Sequence, residues 1–385
     1  MKGKNMWNIQ LFKLNFNDEE TKAVSDVVSG GWLSMGDETI NFEERFSTFL
    51  GEDVYCKAVS NGTAALHMAL LALDVSEDDE VIIPSLTFVA DINVVNLVGA
   101  TPVLADAIDL DDWNMSLETI KEKVTDKTKA IIIVHYAGYP CKDIKAISNF
   151  CNEKGIALIE DVAHAPGASV DGIKCGTFGA VGCFSFFSNK NLSIGEGGMV
   201  STMCPGLHKK LGHLRSHGMT SLTLDRHKGR SITYDIAQPG LNYRMDEMRS
   251  AIGSVQLKKL PDGNLRRGEL TQRYRSNLSS TSVMVPFKEQ PRNIESVYHI
   301  LPILLPEGTD RVSIIGALKE KGIQSSIHYP PFWDFSAFKG QFMQDDSPIT
   351  AEICSRQLTL PLFPTMTDQE VDQVTSALIE AINEC

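Results

Sequence analysis

The chain has 385 residues, with 36 basic and 49 acidic side chains and a formal net charge of −13. Hydrophobic residues make up 43% and charged residues 22%, as in globular proteins that bury a sizeable core. The acidic balance argues against a general nucleic-acid binder, which would carry a basic face, but it does not exclude small anionic ligands.

The eight cysteines contain no C-x-x-C pair, which argues against a zinc ribbon or a disulfide framework. The N-terminus has no apolar signal region, and no apolar stretch is long enough to span a membrane. We therefore expect a soluble, cytoplasmic protein without a membrane partner.

Short apolar runs alternate with helix-like segments between residues 58 and 202. The runs that predict strands are 79–85, 101–107, 129–136, 155–161, 182–187 and 198–202. A helix is predicted between the third and fourth of them, ending at Gly155. This alternation predicts an α/β domain with a mostly parallel sheet sandwiched by helices.

The texture of the sequence changes after residue 245. A long helix is predicted from Asp246 to Leu260, where Pro261 should break it. Strands within 283–305, a helix at 312–322, a strand at 323–329 and an amphipathic helix at 368–382 follow. The prediction is therefore a large domain, 1–245, with an N-terminal arm, and a small α+β domain, 246–385.

The segment SNGTAALHMALLAL (60–73) places a polar turn before an apolar helix. Free backbone N–H groups at a helix start suit a phosphate, and Thr63 adds a hydroxyl donor. The alternative is that Ser60 or Thr63 merely caps a core helix.

The segment GIALIEDVAHA (155–165) ends a strand at Asp161, with His164 three residues later. Ligands in open α/β sheets bind beyond the carboxyl ends of strands, and a carboxylate buried there requires a cationic partner. The protonated ring nitrogen of a cofactor would serve. Alternatively, Asp161 caps a helix or pairs with an arginine, and His164 is a core histidine.

The segment GCFSFFSNKNLSIGEGGMVST (182–202) places Ser185 and Lys190 between two buried strands, followed by a glycine-rich run. Lysines that form Schiff bases occupy such environments, whereas the alternative is a lysine on an exposed loop. The nearby GTFGAVG (176–182) has neither the spacing nor the position of a dinucleotide-binding fingerprint. A phosphate anchor, a carboxylate and a strand-end lysine together indicate pyridoxal 5′-phosphate (PLP).

Ordered motifs along nearly the whole chain resemble the DegT/DnrJ/StrS family of PLP-dependent aminotransferases, which have fold type I. The motifs are GWLSMG, SNGTAALHMAL, DEVIIPSLTFVADINVV, GATPVLADA, EDVAHAPGA, FSFFSNKNLSIGEGGMV, GLNYRMDEMRSAIGSVQL, IHYPP and LPLFPTMTDQEV. The resemblance implies an aminotransferase that mostly acts on nucleotide-linked sugars.

The resemblance also assigns roles to individual residues. Lys190 resembles the lysine that holds the cofactor, Asp161 the partner of its ring nitrogen, and His164 the residue beside its ring, where other members carry glutamine. The remaining cofactor residues implied are Gly62, Thr63, Ser185, Phe88 and Asn242, and the substrate-binding residues implied are Trp32, Arg215, Arg244, His328 and Tyr329. Phe88 would stack on the ring. Asn242 would reach the cofactor phosphate of a neighbouring subunit, which implies a homodimer with active sites at the interface.

The expected activity is amino transfer, from glutamate, to a keto group of a nucleotide-linked deoxy-sugar, with pyridoxamine 5′-phosphate (PMP) as the intermediate form of the cofactor. A cyclitol or carbocyclic ketone is an alternative acceptor. A PLP-dependent dehydratase is a less favoured alternative because Lys190 is present. We expect no metal, since His213 and His217 lack an acidic third ligand.

Two features bear on the substrate. Trp333 stands near a substrate-facing position where family members often have a histidine, and the arginines of the basic segment 215–235 are candidates for contact with a diphosphate.

Overall fold

A computed structural model describes residues 7–221, 229 and 232–384. The strands are β1 (Tyr55–Val59), β2 (Glu80–Pro84), β3 (Thr101–Ala105), β4 (Thr128–Val134), β5 (Ala157–Asp161), β6 (Ser169–Val170), β7 (Ile173–Lys174), β8 (Val181–Ser185), β9 (Gly198–Thr202), β10 (Ile294–Glu295), β11 (Leu301–Leu304) and β12 (Gln357–Leu360). The helices are α1 (Asp18–Gly30), α2 (Asp37–Leu50), α3 (Gly62–Ala72), α4 (Ala90–Leu97), α5 (Leu117–Lys121), α6 (Ile144–Lys154), α7 (Pro205–Arg215), α8 (Glu247–Leu278), α9 (Arg311–Glu320), α10 (Pro348–Arg356) and α11 (Asp368–Glu384).

A seven-stranded sheet in the order β1-β9-β8-β5-β4-β2-β3 forms the centre of the fold. Every neighbouring pair is parallel except the two that β9 makes with β1 and β8. Apolar clusters lie on both faces of this sheet, as expected for parallel strands that are nearly continuous apolar runs. The predicted α/β class is confirmed, and β1 is a strand that the sequence analysis did not identify.

Helix α6 illustrates how local sequence sets an element. Its buried positions Ile144, Ile147 and Cys151 lie on one face, and the helix ends at Gly155, which has a φ of 67°. Glycine adopts this left-handed conformation without steric cost, so the predicted end of this helix is confirmed.

Helix α8 does not break at Pro261, so that prediction was wrong. The helix begins after Asp246, whose side chain accepts a hydrogen bond from the backbone N–H of Arg249, and it continues to Leu278. Its first half packs with Leu257 and Leu260 in one apolar cluster, and its second half contributes Leu270, Tyr274 and Leu278 to another. Burial along the whole helix outweighs the roughly 3 kcal/mol that an interior proline costs.

The second of these clusters joins α8 to α9, α11 and the antiparallel pair β11–β12. The predicted strand at 323–329 is represented only by isolated bridges at Ile323 and Ser326. The residue Ile9 near the N-terminus also belongs to this cluster and bridges to Ile323. The domain boundary at 245/246 stays a prediction.

The carboxyl ends of β1, β5 and β8 lie at the same edge of the sheet, where the chain continues to the residues with predicted roles. In the register of the strands, Val59 and Ser185 both lie opposite Gly198, and Asp161 lies opposite Cys183. This edge therefore brings together segments that are more than a hundred residues apart in the chain.

Candidate active site

A cavity of about 590 Å³ opens at this edge of the sheet. Small-molecule sites of this size are typical of enzymes with a drug-sized or cofactor-sized ligand. Nine of the predicted residues line it, and these are Gly62, Thr63, Phe88, Asp161, His164, Ser185, Lys190, His328 and Tyr329.

The start of α3 forms one end of the cavity. Asn61, rather than Ser60 or Thr63, caps the helix, since its Oδ1 accepts from the N–H of Ala64 at 2.8 Å. The N–H groups of Gly62 and Thr63 have no acceptor within the helix, as at any helix start, and they carry the positive end of its dipole. The backbone at Gly62 lies so close to strand β8 that an added Cβ would be 2.8 Å from the Cβ of Ser185. This arrangement can bind a phosphate group between the helix start and the Ser185 hydroxyl.

Asp161, at the end of β5, supplies a buried carboxylate with 7% of its surface exposed. Its Oδ1 accepts from the N–H of Ala163 at 2.8 Å, and within the described part of the chain no donor reaches Oδ2. Burial raises the pKa of this carboxyl, while the Ala163 hydrogen bond and the positive charge of Lys190 oppose that rise. A protonated ring nitrogen at Oδ2 would supply the partner that the carboxylate lacks.

Lys190 follows β8 in a tight turn, where its backbone N–H donates to the carbonyl of Phe187 at 2.9 Å. Burial lowers the pKa of its amine to about 8, although the negative charge of Asp161 raises it. The neighbouring Asn191 anchors the turn, because its Nδ2 donates to Asn264 Oδ1 at 2.8 Å and to the carbonyl of Val297 at 2.9 Å. The result is an amine that is reactive near neutral pH and held in the cavity.

Three ring-bearing side chains, of Phe88, His164 and Tyr329, also line the cavity. Phe88 is 52% exposed, and its ring centroid lies 5.4 Å from that of Tyr329. His164 is buried, and its Nε2 lies 2.9 Å from the Tyr329 hydroxyl. An exposed aromatic face beside a cavity can stack on a planar ring.

Four predicted residues do not line this cavity within their own chain. Arg215 is buried and forms an ion pair with Glu43, while a hydrogen bond at 2.7 Å joins it to the carbonyl of Ala58. Trp32 lies beside Gly36 near the start of α2, and Asn242 is exposed, with a bridge to Ser216. Arg244 is half-buried and bridges to Val59.

Two other sequence expectations concern the neighbourhood of the substrate. Trp333 packs against the apolar cluster of the sheet with Phe332 and Phe335, and it does not line the cavity. Arg226 and Arg230 of the basic segment lie outside the described residues.

The sequence analysis missed several residues at the cavity. Thr87 lines it and donates to Asp91 at 2.5 Å, while the second oxygen of Asp91 is buried and unpaired. Burial and the charge of Asp161 raise the pKa of Asp91 well above its usual range. An acidic residue in the first turn of a helix normally faces solvent, so the sequence carried no signal for this role.

Tyr243 also lines the cavity, and its hydroxyl lies 3.1 Å from His67 Nδ1. These two residues are 176 positions apart, and neither belongs to a pattern that would pair them.

His135, Glu160 and Cys175 form a buried cluster whose geometry would suit a metal ion. Glu160 already accepts from the N–H groups of Gly176, Phe178 and Gly179 and lies 3.1 Å from His135 Nε2. These hydrogen bonds occupy the ligand atoms of Glu160, which indicates that the cluster fixes the loop before β8 rather than a metal.

The residues of the cavity fit PLP. They offer free N–H groups and a hydroxyl for a phosphate and, for a ring nitrogen, an Asp161 Oδ2 that no donor of the described residues reaches. They also offer an exposed aromatic face for the ring and a desolvated amine for its aldehyde. None of the helices in the described ranges is long and apolar enough to cross a membrane.

Comparison with known proteins agrees with this geometry. The profile of the DegT/DnrJ/EryC1/StrS aminotransferase family matches residues 15–379. An uncharacterised protein of Methanocaldococcus jannaschii is 33% identical over 381 residues, which cover 97% of each chain.

Two solved structures are similar over nearly their whole length. A putative sugar aminotransferase of Streptococcus pneumoniae, in its PMP-form, has a TM-score of 0.89 at 28% identity and covers 96% of this chain and 98% of its own. PseC of Helicobacter pylori, described as an aminotransferase involved in the biosynthesis of pseudoaminic acid, has a TM-score of 0.88 at 26% identity, with 98% of this chain and 100% of its own covered. The Streptococcus pneumoniae protein has also been solved in its PLP-form.

Proposed function

This chain belongs to the DegT/DnrJ/EryC1/StrS aminotransferase family and is a fold type I, PLP-dependent transaminase; from that premise we propose that it transfers an amino group from glutamate to a keto group of a nucleotide-linked deoxy-sugar. The observation that carries the proposal is the placement of the Lys190 amine and the Asp161 carboxylate in one cavity.

Bound PLP supplies an electron sink for the carbanion that forms at the donor α-carbon. Lys190 Nζ, whose amine is partly neutral near pH 8, would move a proton from the donor carbon to the cofactor, and in the second half of the reaction from the cofactor to the acceptor carbon. Asp161 would keep the ring nitrogen protonated, and this positive charge would stabilise the negative charge that develops on the ring. Gly62, Thr63 and Ser185 would orient the cofactor through its phosphate.

Support for a sugar acceptor comes from the similar proteins, one of which is named as a putative sugar aminotransferase, while another is described as involved in the biosynthesis of pseudoaminic acid. Support for a diphosphate comes from charge. Arg215 is already engaged by Glu43, whereas no ion pair of Arg244 occurs among the described residues. We therefore assign the contact with a substrate phosphate to Arg244. Burial and the positive charge of the nearby Arg215 lower the pKa of Arg244.

The active site would be completed by a second copy of the chain. Asn242 is exposed and does not line the cavity of its own chain, as expected for a residue that serves a neighbouring subunit. Mixing two inactive variants tests this arrangement. Lys190→Ala and Asn242→Leu subunits, refolded together, should regain about a quarter of wild-type activity, since random pairing makes half of the dimers mixed and each mixed dimer has one complete site. No recovery, or a monomer in sedimentation, would contradict a shared site.

A substrate panel tests the activity itself. Keto-sugar nucleotides, the same keto sugars without a nucleotide, and cyclitol ketones are each incubated with glutamate, alanine or glutamine, and the keto acid released is measured. The proposal predicts 2-oxoglutarate in amounts equal to the aminated nucleotide sugar. Turnover of cyclitol ketones alone, or product formed without consumption of an amino donor, would replace the proposal with a cyclitol aminotransferase or a dehydratase.

A further inference from the structure

The hydrogen bonds around His164 determine which of its ring nitrogens carries the proton. The backbone N–H of Ala137 donates to His164 Nδ1 at 3.2 Å, and an amide N–H can only donate. Burial, with the positive charge of Lys190, holds the pKa of His164 well below its usual range, so its ring is neutral. The single proton therefore lies on Nε2, which donates to the hydroxyl of Tyr329 at 2.9 Å.

The backbone holds this tautomer in place. The carbonyl of Ala137 accepts from the N–H of His299 at 2.8 Å, so both sides of this residue are fixed. The ring of His299 packs against that of His164, with centroids 4.4 Å apart. His299 is itself tied to Asn191, beside the cofactor lysine, through Nδ1 and Oδ1 at 3.0 Å. Neither Ala137 nor His164 can reorient without breaking these contacts.

The hydroxyl of Tyr329 then has a defined direction. Its oxygen accepts a hydrogen bond from the Nε2–H of His164. Among the described residues the hydroxyl has no other hydrogen-bond partner, so its own hydrogen is free to donate. Tyr329 lines the cavity with Asp161 and Lys190, and its carbonyl is held by Gln357 Nε2 at 2.8 Å. Burial and the nearby carboxylates of Asp161 and Asp91 raise the pKa of Tyr329, so the group stays a donor throughout the working range of pH.

We propose that Tyr329 is a directed hydrogen-bond donor to an electron-rich oxygen of the molecule bound in the cavity, and that His164 is the positioning residue that aims it. The oxygen belongs either to the cofactor ring or to the keto substrate. A hydroxyl whose acceptor side is already filled cannot rotate to accept from the ligand, so it discriminates against ligands that offer only a donor at that point. The inference rests on the proposed function in that PLP occupies the cavity.

Tyr329→Phe tests the donor, with Tyr298→Phe as the matched control because the Tyr298 side chain lies outside this cavity. If the oxygen is that of the cofactor, Tyr329→Phe shifts the pH titration of the visible cofactor absorbance and weakens cofactor binding about tenfold in the absence of substrate. If the oxygen is that of the substrate, the absorbance is unchanged and KM for the keto substrate rises about tenfold. A Tyr329→Phe enzyme that matches Tyr298→Phe in all three measurements overturns the proposal.

Two variants of His164 test the positioning role. Glutamine can accept from Ala137 with its oxygen and donate to Tyr329 with its amide, whereas leucine can do neither. His164→Leu should therefore reproduce the effect of Tyr329→Phe and add little to it in the double variant, while His164→Gln should retain the wild-type titration. Equal loss in both His164 variants, or full additivity in the double variant, contradicts the role of His164.

The outcome does not depend on His164→Leu folding, since Tyr329→Phe removes a single hydroxyl and His164→Gln can keep both hydrogen bonds. Borohydride reduction separates this inference from the function on which it rests. Failure to attach the cofactor to Lys190 in the wild-type protein would refute the proposed function. Attachment with a silent Tyr329→Phe would refute only the inference.

Discussion

The pKa of the Lys190 amine can be measured directly in the protein stripped of cofactor. Burial lowers this pKa from 10.5 to about 8. At about pH 7.5 a group with a pKa of 8 is roughly one quarter neutral, whereas one with a pKa of 10.5 is neutral in about one molecule in a thousand. The cavity therefore raises the concentration of reactive amine by roughly 200-fold.

Competitive acylation across a pH series tests this value. The stripped protein is labelled briefly with an amine reagent at each pH, and the labelled peptides are quantified by mass spectrometry. The exposed Lys258 serves as the internal standard for reagent reactivity. Labelling of Lys190 should rise with a midpoint near pH 8.

Asp161→Asn supplies the matched variant for this titration. The negative charge of Asp161 raises the pKa of Lys190, so its removal should move the midpoint below that of the wild-type protein. A wild-type midpoint above about pH 9.5, or an upward shift in Asp161→Asn, would refute the account of burial opposed by one carboxylate.

Three further predictions concern residues that hold the site together. Gly62→Ala should weaken cofactor binding about tenfold or more in a fluorescence titration, because its Cβ would meet Ser185 at 2.8 Å; unchanged affinity would mean that α3 does not bind the phosphate. Glu160→Gln should lower the free energy of unfolding by about 1–3 kcal/mol in a denaturant series, since the amide nitrogen that replaces one carboxylate oxygen cannot accept, so the bond from Gly176 or those from Phe178 and Gly179 are lost; a loss below about 0.5 kcal/mol would contradict this role. The raised pKa of Asp91 means that the folded protein holds this proton more tightly than the unfolded chain, so stability is lost as pH rises above about 4. Asp91→Asn avoids that loss and should raise the thermal midpoint by about 2 °C at pH 8, with the gain vanishing near pH 4; a lower midpoint at pH 8 would refute the raised pKa of Asp91.

Local sequence was sufficient for the elements whose signals are local. The strands that end at Asp161 and Ser185 are short apolar runs followed by polar residues, and parallel strands share one edge, so these side chains could be expected near one another. Lys190 could be expected at the same edge, because it comes shortly after the strand that ends at Ser185. The end of α6 at Gly155 needed only the conformational freedom of glycine.

Features that depend on distant contacts were beyond local reasoning. Pro261 stays within α8 because two separate clusters bury the helix on both sides of it. Arg215 forms a buried ion pair with Glu43, which lies 172 positions earlier in the chain. The hydrogen bond from His164 to Tyr329 joins residues 165 positions apart, and its direction depends on a backbone N–H that sequence patterns do not reveal.

The attachment of the cofactor to Lys190 tests the central claim most directly. The purified holoenzyme is reduced with borohydride, digested and analysed by mass spectrometry, beside Lys190→Ala treated in the same way. The account predicts a reduced pyridoxyl group on the peptide that contains Lys190, with loss of the visible absorbance band and of amino transfer in Lys190→Ala. A label on another lysine, or turnover that persists in Lys190→Ala, would contradict it.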